Sequence, residues 1–441
     1  MMKLLCISNG HGEDVIALRI LTALRHHQPD IDFSALPISG EGNPYRRADI
    51  PIIGPTKVLP SGGFLNQEAA QLARDMRQGL IKLTRSQLSA IKNWSSSGDF
   101  VLAVGDIVPL IFAHRSGLPY AFVGTAKSEY WLRDEKGKLP PTQFQSKFWS
   151  RFEGWSGSVY LPWERWFMAR PRCRAVFVRD AFTATPLRQL GIKAEYAGNP
   201  MMDSLEATGK LTESLQPLRN ITPSSIQSPE TARAVALYVN NKHRSSLPLT
   251  VALIPGSRSP EAYENWTRIL AAIPSLSKTF PHRTLILLAA IAPALSLETL
   301  QTYLAADWES VQDRPYPTYK NQNVTLLLVN DAYSDCLQES QIAIATAGTA
   351  TEQFVGLGKP VITLPGEGPQ FTFAFATVQS KMLGSSVQMV SQPEEVGSTI
   401  ARIMNDPDRL LAIYQNGKQR MGAAGAGERI AGRLGEVMDY E

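Results

Sequence analysis

At 441 residues, 44% hydrophobic and 19% charged, the chain has an ordinary globular composition and is too long for one core, so two domains of roughly 200 residues are expected. Its net charge of +4 is too small for a general nucleic-acid binder, and its three scattered cysteines, Cys6, Cys173 and Cys336, fit neither a disulfide framework nor a metal site, which points to the reducing cytoplasm. No run of 18 uncharged apolar residues is present to span a membrane, and the opening apolar run turns too soon into a Gly-rich loop for a signal peptide.

Residues 3–8 read as a buried strand, Asn9-Gly10-His11-Gly12-Glu13-Asp14 as a turn, and 15–26 as an amphipathic helix. A doubly wound α/β domain begins with strand, glycine turn and helix. The turn places His11, Glu13 and Asp14 at the carboxyl end of the first strand, where open α/β sheets carry their crevice. With two glycines only, the dinucleotide fingerprint is incomplete. Residues 31–38 suit a second strand, 51–64 a Pro/Gly-rich loop, and 66–94 helix. The strand at 100–104 ends in Gly105-Asp106, so Asp106 is either a site residue or the N-cap of a helix at 107–115. A strand at 119–123 exits into Gly124-Thr125-Ala126-Lys127.

The next segment, 127–179, holds five of the eight tryptophans and eleven Lys/Arg against five Asp/Glu. Aromatic rings among cations suit the interface of an anionic membrane, where indoles rest at headgroup level and cations meet lipid phosphates. The same composition also suits a small core of its own or, less well, base stacking. A strand at 175–178, a helix at 183–190 and a short strand at 194–196 lead to the loop Gly198-Asn199-Pro200-Met201-Met202-Asp203. Residues 205–248 lose periodicity and read as a connection with one helix near 229–240.

The second domain opens with a strand at 250–254, the loop Pro255-Gly256-Ser257-Arg258 and a helix at 260–273. Backbone N–H groups, the Ser257 hydroxyl and the Arg258 fork can converge there on a diphosphate. Strands at 284–291 and 324–329 and a helix at 331–340 follow, then a strand–helix–strand unit over 342–365. Its turn, Thr346-Ala347-Gly348-Thr349, leaves backbone N–H groups at a helix start, a second phosphate seat. Glu352, in the first helical turn, either accepts a pair of ribose hydroxyls or complements the helix dipole. The loop after Pro365, with Gly368 and Gln370, lines a sugar pocket in this reading, and Gln379 faces it. From Pro393 on the pattern is helical, broken at 422–427. The expected organisation is a first Rossmann-like domain at 1–205 containing the excursion at 127–179 and a connection at 206–248. A second such domain follows at 249–425, then a last helix at 426–441 that returns to the first.

Taken in order, these motifs resemble the two-Rossmann-domain (GT-B) glycosyltransferases and, within them, lipid-A-disaccharide synthase. Val104-Gly105-Asp106 stands where that synthase has an important aspartate, and Gly198-Asn199-Pro200 with Asp203 is similar to its G-[HN]-P-x-x-D segment. Leu253-Ile254-Pro255-Gly256-Ser257-Arg258 with Glu261 matches its L-L-P-G-S-R-x-x-E, and Ala347-Gly348-Thr349-Ala350-Thr351-Glu352 its S-G-T-A-T-L-E with one residue fewer. The histidine in the first loop and the longer aromatic excursion depart from the synthase, so the chain resembles a divergent branch.

The resemblance implies two Rossmann-like domains facing each other across a cleft, and an inverting transfer from a UDP-sugar to a lipid or lipid-linked acceptor. Pro255, Gly256, Ser257, Arg258, Gly348 and Thr349 would hold the diphosphate and Glu352 the ribose, with Asn199, Gly368, Gln370 and Gln379 completing the substrate contacts. Helix dipoles and cations would carry the leaving UDP, so no metal and no cofactor is implied. Trp131, Arg151, Trp155, Trp163 and Trp166 would touch the acceptor lipid or an anionic bilayer at its cytoplasmic face. The general base is Asp106 by resemblance or His11 by its near-neutral pKa, or a relay in which Asp106 or Asp14 orients His11. A UDP-sugar epimerase or hydrolase, and a non-catalytic nucleotide-binding scaffold, are the competing readings.

Overall fold

The structure, a computed structural model, describes residues 2–57, 79–139, 157–219, 247–366 and 371–438. Two compact units emerge, one formed by Met1–Asp203 with Ala423–Glu441, the other by Ser204–Gly422. No helix among the described residues is long and apolar enough to cross a membrane.

The first unit is built on strands β1 (Lys3–Ser8), β2 (Asp32–Pro37), β3 (Phe100–Gly105) and β4 (Tyr120–Gly124), then a small ribbon of β5 (Arg133–Asp134) and β6 (Gly137–Lys138), then β7 (Cys173–Val178) and β8 (Ala194–Glu195). The main sheet is parallel in the order β2-β1-β3-β4-β7-β8. A parallel sheet buries both faces, and β1 shows how. Leu4 and Cys6 join Ile16, Ile20 and Leu24 of helix His11–His27 and Ile430 and Leu434 of helix Ala426–Met438. The alternate residues Leu5 and Ile7 join Leu110, Phe122 and Tyr160. Each such side chain contributes about 1.5–3 kcal/mol on burial. The last helix is tied in by Asp203, whose carboxylate accepts the backbone N–H groups of Gly425, Ala426 and Gly427 at 2.6, 3.1 and 2.8 Å. The aspartate of the Gly-Asn-Pro segment is therefore a helix cap.

The second unit holds β9 (Leu249–Ile254), β10 (Leu285–Ala290), β11 (Glu309–Val311), β12 (Thr318–Asn321), β13 (Val324–Val329), β14 (Ile342–Ala345), β15 (Val361–Thr363) and β16 (Val387–Met389). They lie in the order β11-β12-β13-β10-β9-β14-β15-β16, parallel except for the β11–β12 edge. Leu249, Val251 and Leu253 of β9 pack with Ile269, Ile273 and the fully buried Trp266 of helix Glu261–Thr279. Two features lie where sequence reading placed no elements. The edge strands β11 and β12 carry few apolar residues and exist by pairing, β12 against β13 and β11 against β12. Helix Thr212–Arg219, inside the expected connection, is short, polar and interrupted by Pro217, and is held by Arg219 on Glu339 at 2.6 Å. The helix expected near 229–240 lies outside the described residues.

Candidate functional sites

In the second unit the chain runs from β9 through β10 to β13 on one side, then crosses to β14 on the other. The point where strand order reverses lies between β9 and β14, and ligands of open α/β sheets bind outside the carboxyl ends there. Both loops singled out from sequence leave the sheet at this point. β9 and β14 pair with Ile254 opposite Ala345, so Pro255-Gly256-Ser257-Arg258 and Thr346-Ala347-Gly348-Thr349 start side by side. Thr346 N–H donates to Ile254 O at 2.9 Å, and the buried Asn265 donates through Nδ2 to Pro255 O at 3.1 Å and Thr346 O at 3.4 Å. Gly256 holds φ +101°, which a side chain would resist. Behind this clamp Ser257, Arg258 and Thr349 are exposed.

Helix Thr349–Gly356 begins at Gly348, which supplies no side-chain cap, so its first-turn N–H groups are left to point outward from the turn. An anion there would complete the helix end and meet the positive end of its dipole. Glu352 is buried in this helix, 8% exposed, behind the exposed Thr349. Gln379, also buried, donates through Nε2 to Ala347 O at 3.3 Å and Gly348 O at 2.9 Å, so it shapes this turn. Its Oε1 is buried without a partner among the described residues. Glu261, the acid of the Ser-Arg-x-x-Glu motif, accepts Phe371 N–H at 2.7 Å, and Gly366 N–H donates to Phe371 O at 2.9 Å. These bonds pin both ends of the loop containing Gly368 and Gln370, which themselves lie outside the described residues.

The first unit has its own reversal point, between β1 and β3. Asn9 follows β1 and Asp106 follows β3. Gly105, at φ +136°, lets the two strand ends approach, since a Cβ there would come within 3.0 Å of the Asn9 side chain. Asp106 caps helix Ile107–Ser116 by accepting Val108 N–H at 2.8 Å, and it is 6% exposed. The capping role weighed from sequence is thus real, and it fixes the carboxylate at the strand end. His11 is the first residue of its helix; its side chain lies outside the described set. Asp14 accepts Ser8 Oγ–H at 2.6 Å, and Ser8 Oγ is 2.7 Å from the Tyr45 hydroxyl. Burial pushes the Asp14 carboxyl up to about 7 against the lowering effect of Ser8. Glu13 is also pushed up to about 7, chiefly by burial and further by Asp106 and Asp14, while its own N–H and the Thr125 hydroxyl at 3.3 Å favour the charged form. Two buried carboxyls poised near neutrality can exchange protons at working pH.

Asn199 caps the short turn Pro200–Met202 by accepting Met201 N–H at 3.1 Å. It borders a small cavity with Thr125 and Arg179 at the ends of β4 and β7. Arg179 donates to Thr125 O at 3.2 Å.

The aromatic excursion divides. Trp131 packs against the core of the first unit. Trp163 and Trp166, three residues apart on helix Pro162–Met168, are 42% and 47% exposed, and the Arg170 guanidinium lies 3.5 Å over the Trp166 ring. Beneath them the charges are structural: Lys127 and Glu164, both buried, pair at 2.7 Å, and Glu129 accepts from Ser158 Oγ and Val159 N–H. Arg151 and Trp155 lie outside the described residues. Sequence reading did not single out Asn265, Thr125 or Arg179 as site residues. The last two directly follow strand ends, the signal that had marked Asp106; Asn265 is one polar residue within an amphipathic helix and carries no such signal.

No protein-family model matches the chain. Lipid-A-disaccharide synthase of Syntrophus aciditrophicus is 24% identical over 265 residues, a match spanning 55% of this chain and 57% of that relative's length. MurG of Acinetobacter baumannii shares the fold at a TM-score of 0.54 and 14% identity, covering 99% of this chain and 100% of MurG. UDP-GlcNAc 2-epimerase of Neisseria meningitidis, bound to UDP-GlcNAc, shares it at 0.52 and 14%, covering 99% of each chain. The fold is that of the two-Rossmann-domain GT-B proteins.

Proposed function

We propose that the protein is a glycosyltransferase that moves a sugar from a UDP-sugar to a lipid or lipid-linked acceptor at a membrane surface, with inversion and without a metal. The observation that carries this reading is the placement of the Pro255–Arg258 and Thr346–Thr349 loops side by side at the reversal point of the second unit, with Glu352 buried in the adjoining helix. The diphosphate sits on the Gly348–Thr349 N–H groups and under Arg258, and Glu352 accepts the ribose hydroxyls. These groups also stabilise the charge that develops on departing UDP.

In the first unit a carboxylate takes the proton of the acceptor hydroxyl. Asp106 and Glu13 lie at the strand ends for this task, with His11 and Asp14 as relay partners. The hydroxyl oxygen forms its bond to the anomeric carbon as the bond to UDP breaks, and the proton stays on the base. Trp163, Trp166 and the cations around them supply the surface that meets lipid.

The test is UDP release from a panel of UDP-sugars, with and without a total lipid extract, for wild type and Glu352→Ala. We expect lipid-dependent release that falls at least tenfold in the variant, the loss of charge-assisted bonds of about 1.5–3 kcal/mol. The likeness to a UDP-GlcNAc 2-epimerase favours a second reading, in which the sugar is epimerised or hydrolysed. Release without lipid, or an epimer with no glycoside, would establish it. UDP binding without any turnover would mean a nucleotide-binding scaffold.

A further inference from the structure

The small cavity at the carboxyl ends of β4 and β7 is walled by both polar and apolar residues. Its lining includes Thr125, Arg179 and Asn199, closed by Val123, Phe177 and Ile430, and it contains no carboxylate. Asn199 is 3% exposed, and its amide is half used: Oδ1 accepts Met201 N–H, whereas Nδ2 is buried without a partner among the described residues. A buried N–H₂ without an acceptor is costly, so such groups are normally met by water or by a ligand. Arg179, 5% exposed, lines the same cavity, and its guanidinium donates to Thr125 O. The volume is about 10 Å³, room for one oxygen atom and not for a whole sugar. An unmet amide N–H₂, an arginine among the lining residues, apolar walls and space for one oxygen together describe an anion notch, because a desolvated anionic oxygen gains most from charge-assisted donors.

We infer that this notch seats one anionic oxygen of the acceptor, a phosphate or carboxylate oxygen, with Asn199 Nδ2 and the Arg179 guanidinium as its donors. This deepens the transferase reading and rests on it for the word acceptor. The notch lies wholly within the first unit. It gives Asn199 a task separate from the donor loops and makes it a specificity residue: acceptors without an anionic group near the reacting hydroxyl are rejected.

The discriminating variant is Asn199→Asp. It keeps the oxygen that caps Met201 and replaces the donor by a second oxygen, so the fold is retained while the notch is turned against anions. Binding of inorganic phosphate and of glycerol phosphate is measured by calorimetry at constant ionic strength, for wild type, Asn199→Asp and Arg258→Ala. Chain labelled with ¹⁵N-asparagine is titrated in parallel, the Asn199 side-chain signal being assigned by its loss in the variant. We expect saturable binding that moves this signal, survives Arg258→Ala and weakens roughly tenfold to a hundredfold in Asn199→Asp. A preference for glycerol phosphate would mark a lipid-headgroup source, and equal affinity a free phosphate group. A signal that does not move with either anion, or binding abolished by Arg258→Ala and untouched by Asn199→Asp, would overturn the inference and leave the notch as a water site. Because UDP binding is read separately through Glu352→Ala, failure of the notch and failure of the donor reading give different results.

Discussion

Glu13→Gln should make the first unit more stable, and increasingly so as pH rises. Glu13 ionises near 4.5 in an unfolded chain and near 7 in the fold, where burial disfavours its charge. Between those two values the folded state holds a proton that the unfolded state has lost, so stability falls as pH climbs from about 4.5 to about 7 and stays low above that. At about 1.4 kcal/mol per pKa unit, the full penalty at pH 8 is about 3 kcal/mol, and about 2 kcal/mol has accrued by pH 6. Glutamine keeps the oxygen that accepts the Thr125 hydroxyl and removes the ionisation. The assay is alkylation of buried thiols under native conditions. Cys6, fully buried on the central strand β1, reacts only when the first unit opens, and Cys336, fully buried in the second unit, serves as the internal reference. Comparing variant with wild type at the same pH cancels the thiol's own titration. The protection of Cys6 gained by Glu13→Gln should grow roughly tenfold between pH 6 and pH 8, while Cys336 is unaffected. A gain independent of pH would show that Glu13 ionises at an ordinary pKa, and it would remove Glu13 as a proton acceptor poised near neutrality.

Three further outcomes follow from the geometry. Replacing Trp163 and Trp166 together by serine should abolish co-sedimentation with anionic phosphatidylglycerol vesicles while leaving UDP affinity within twofold; retained vesicle binding would exclude this helix as the lipid-facing surface. Lys127→Ala should cost about 3–5 kcal/mol of first-unit stability by stranding the Glu164 charge, whereas Lys127→Met with Glu164→Leu should cost far less, which urea unfolding measures; equal losses would mean that the pair contributes through its attraction and not through its burial. Asp203→Ala, which leaves three backbone N–H groups without their acceptor, should raise Cys6 labelling by an amount equivalent to about 2 kcal/mol, and an unchanged rate would show that the last helix is held by its apolar face alone.

What was legible in the sequence follows from which interactions are local. The strand–turn–helix units were readable because a two-sided parallel strand is a short apolar run, as in β1 and β9, and because a tight turn into a helix start shows as a run of small residues, as at Gly348. β11 and β12 were not readable, since they are short and polar and their strand character comes from antiparallel pairing at the sheet edge, not from an apolar run. The same division runs through the sites. Asp203 was recognisable as part of a family segment because its spacing was visible, but its capping role was not, since its partners lie more than two hundred residues away. Asp106, by contrast, offered two local roles, and it fills the capping one while standing at the strand end. A capping carboxylate is held rigidly by the helix it starts, so a cap is one way a Rossmann-like unit fixes an acid at its reversal point. Asn199 follows the same rule with an amide: one atom serves the turn, and the other is left for whatever the notch receives.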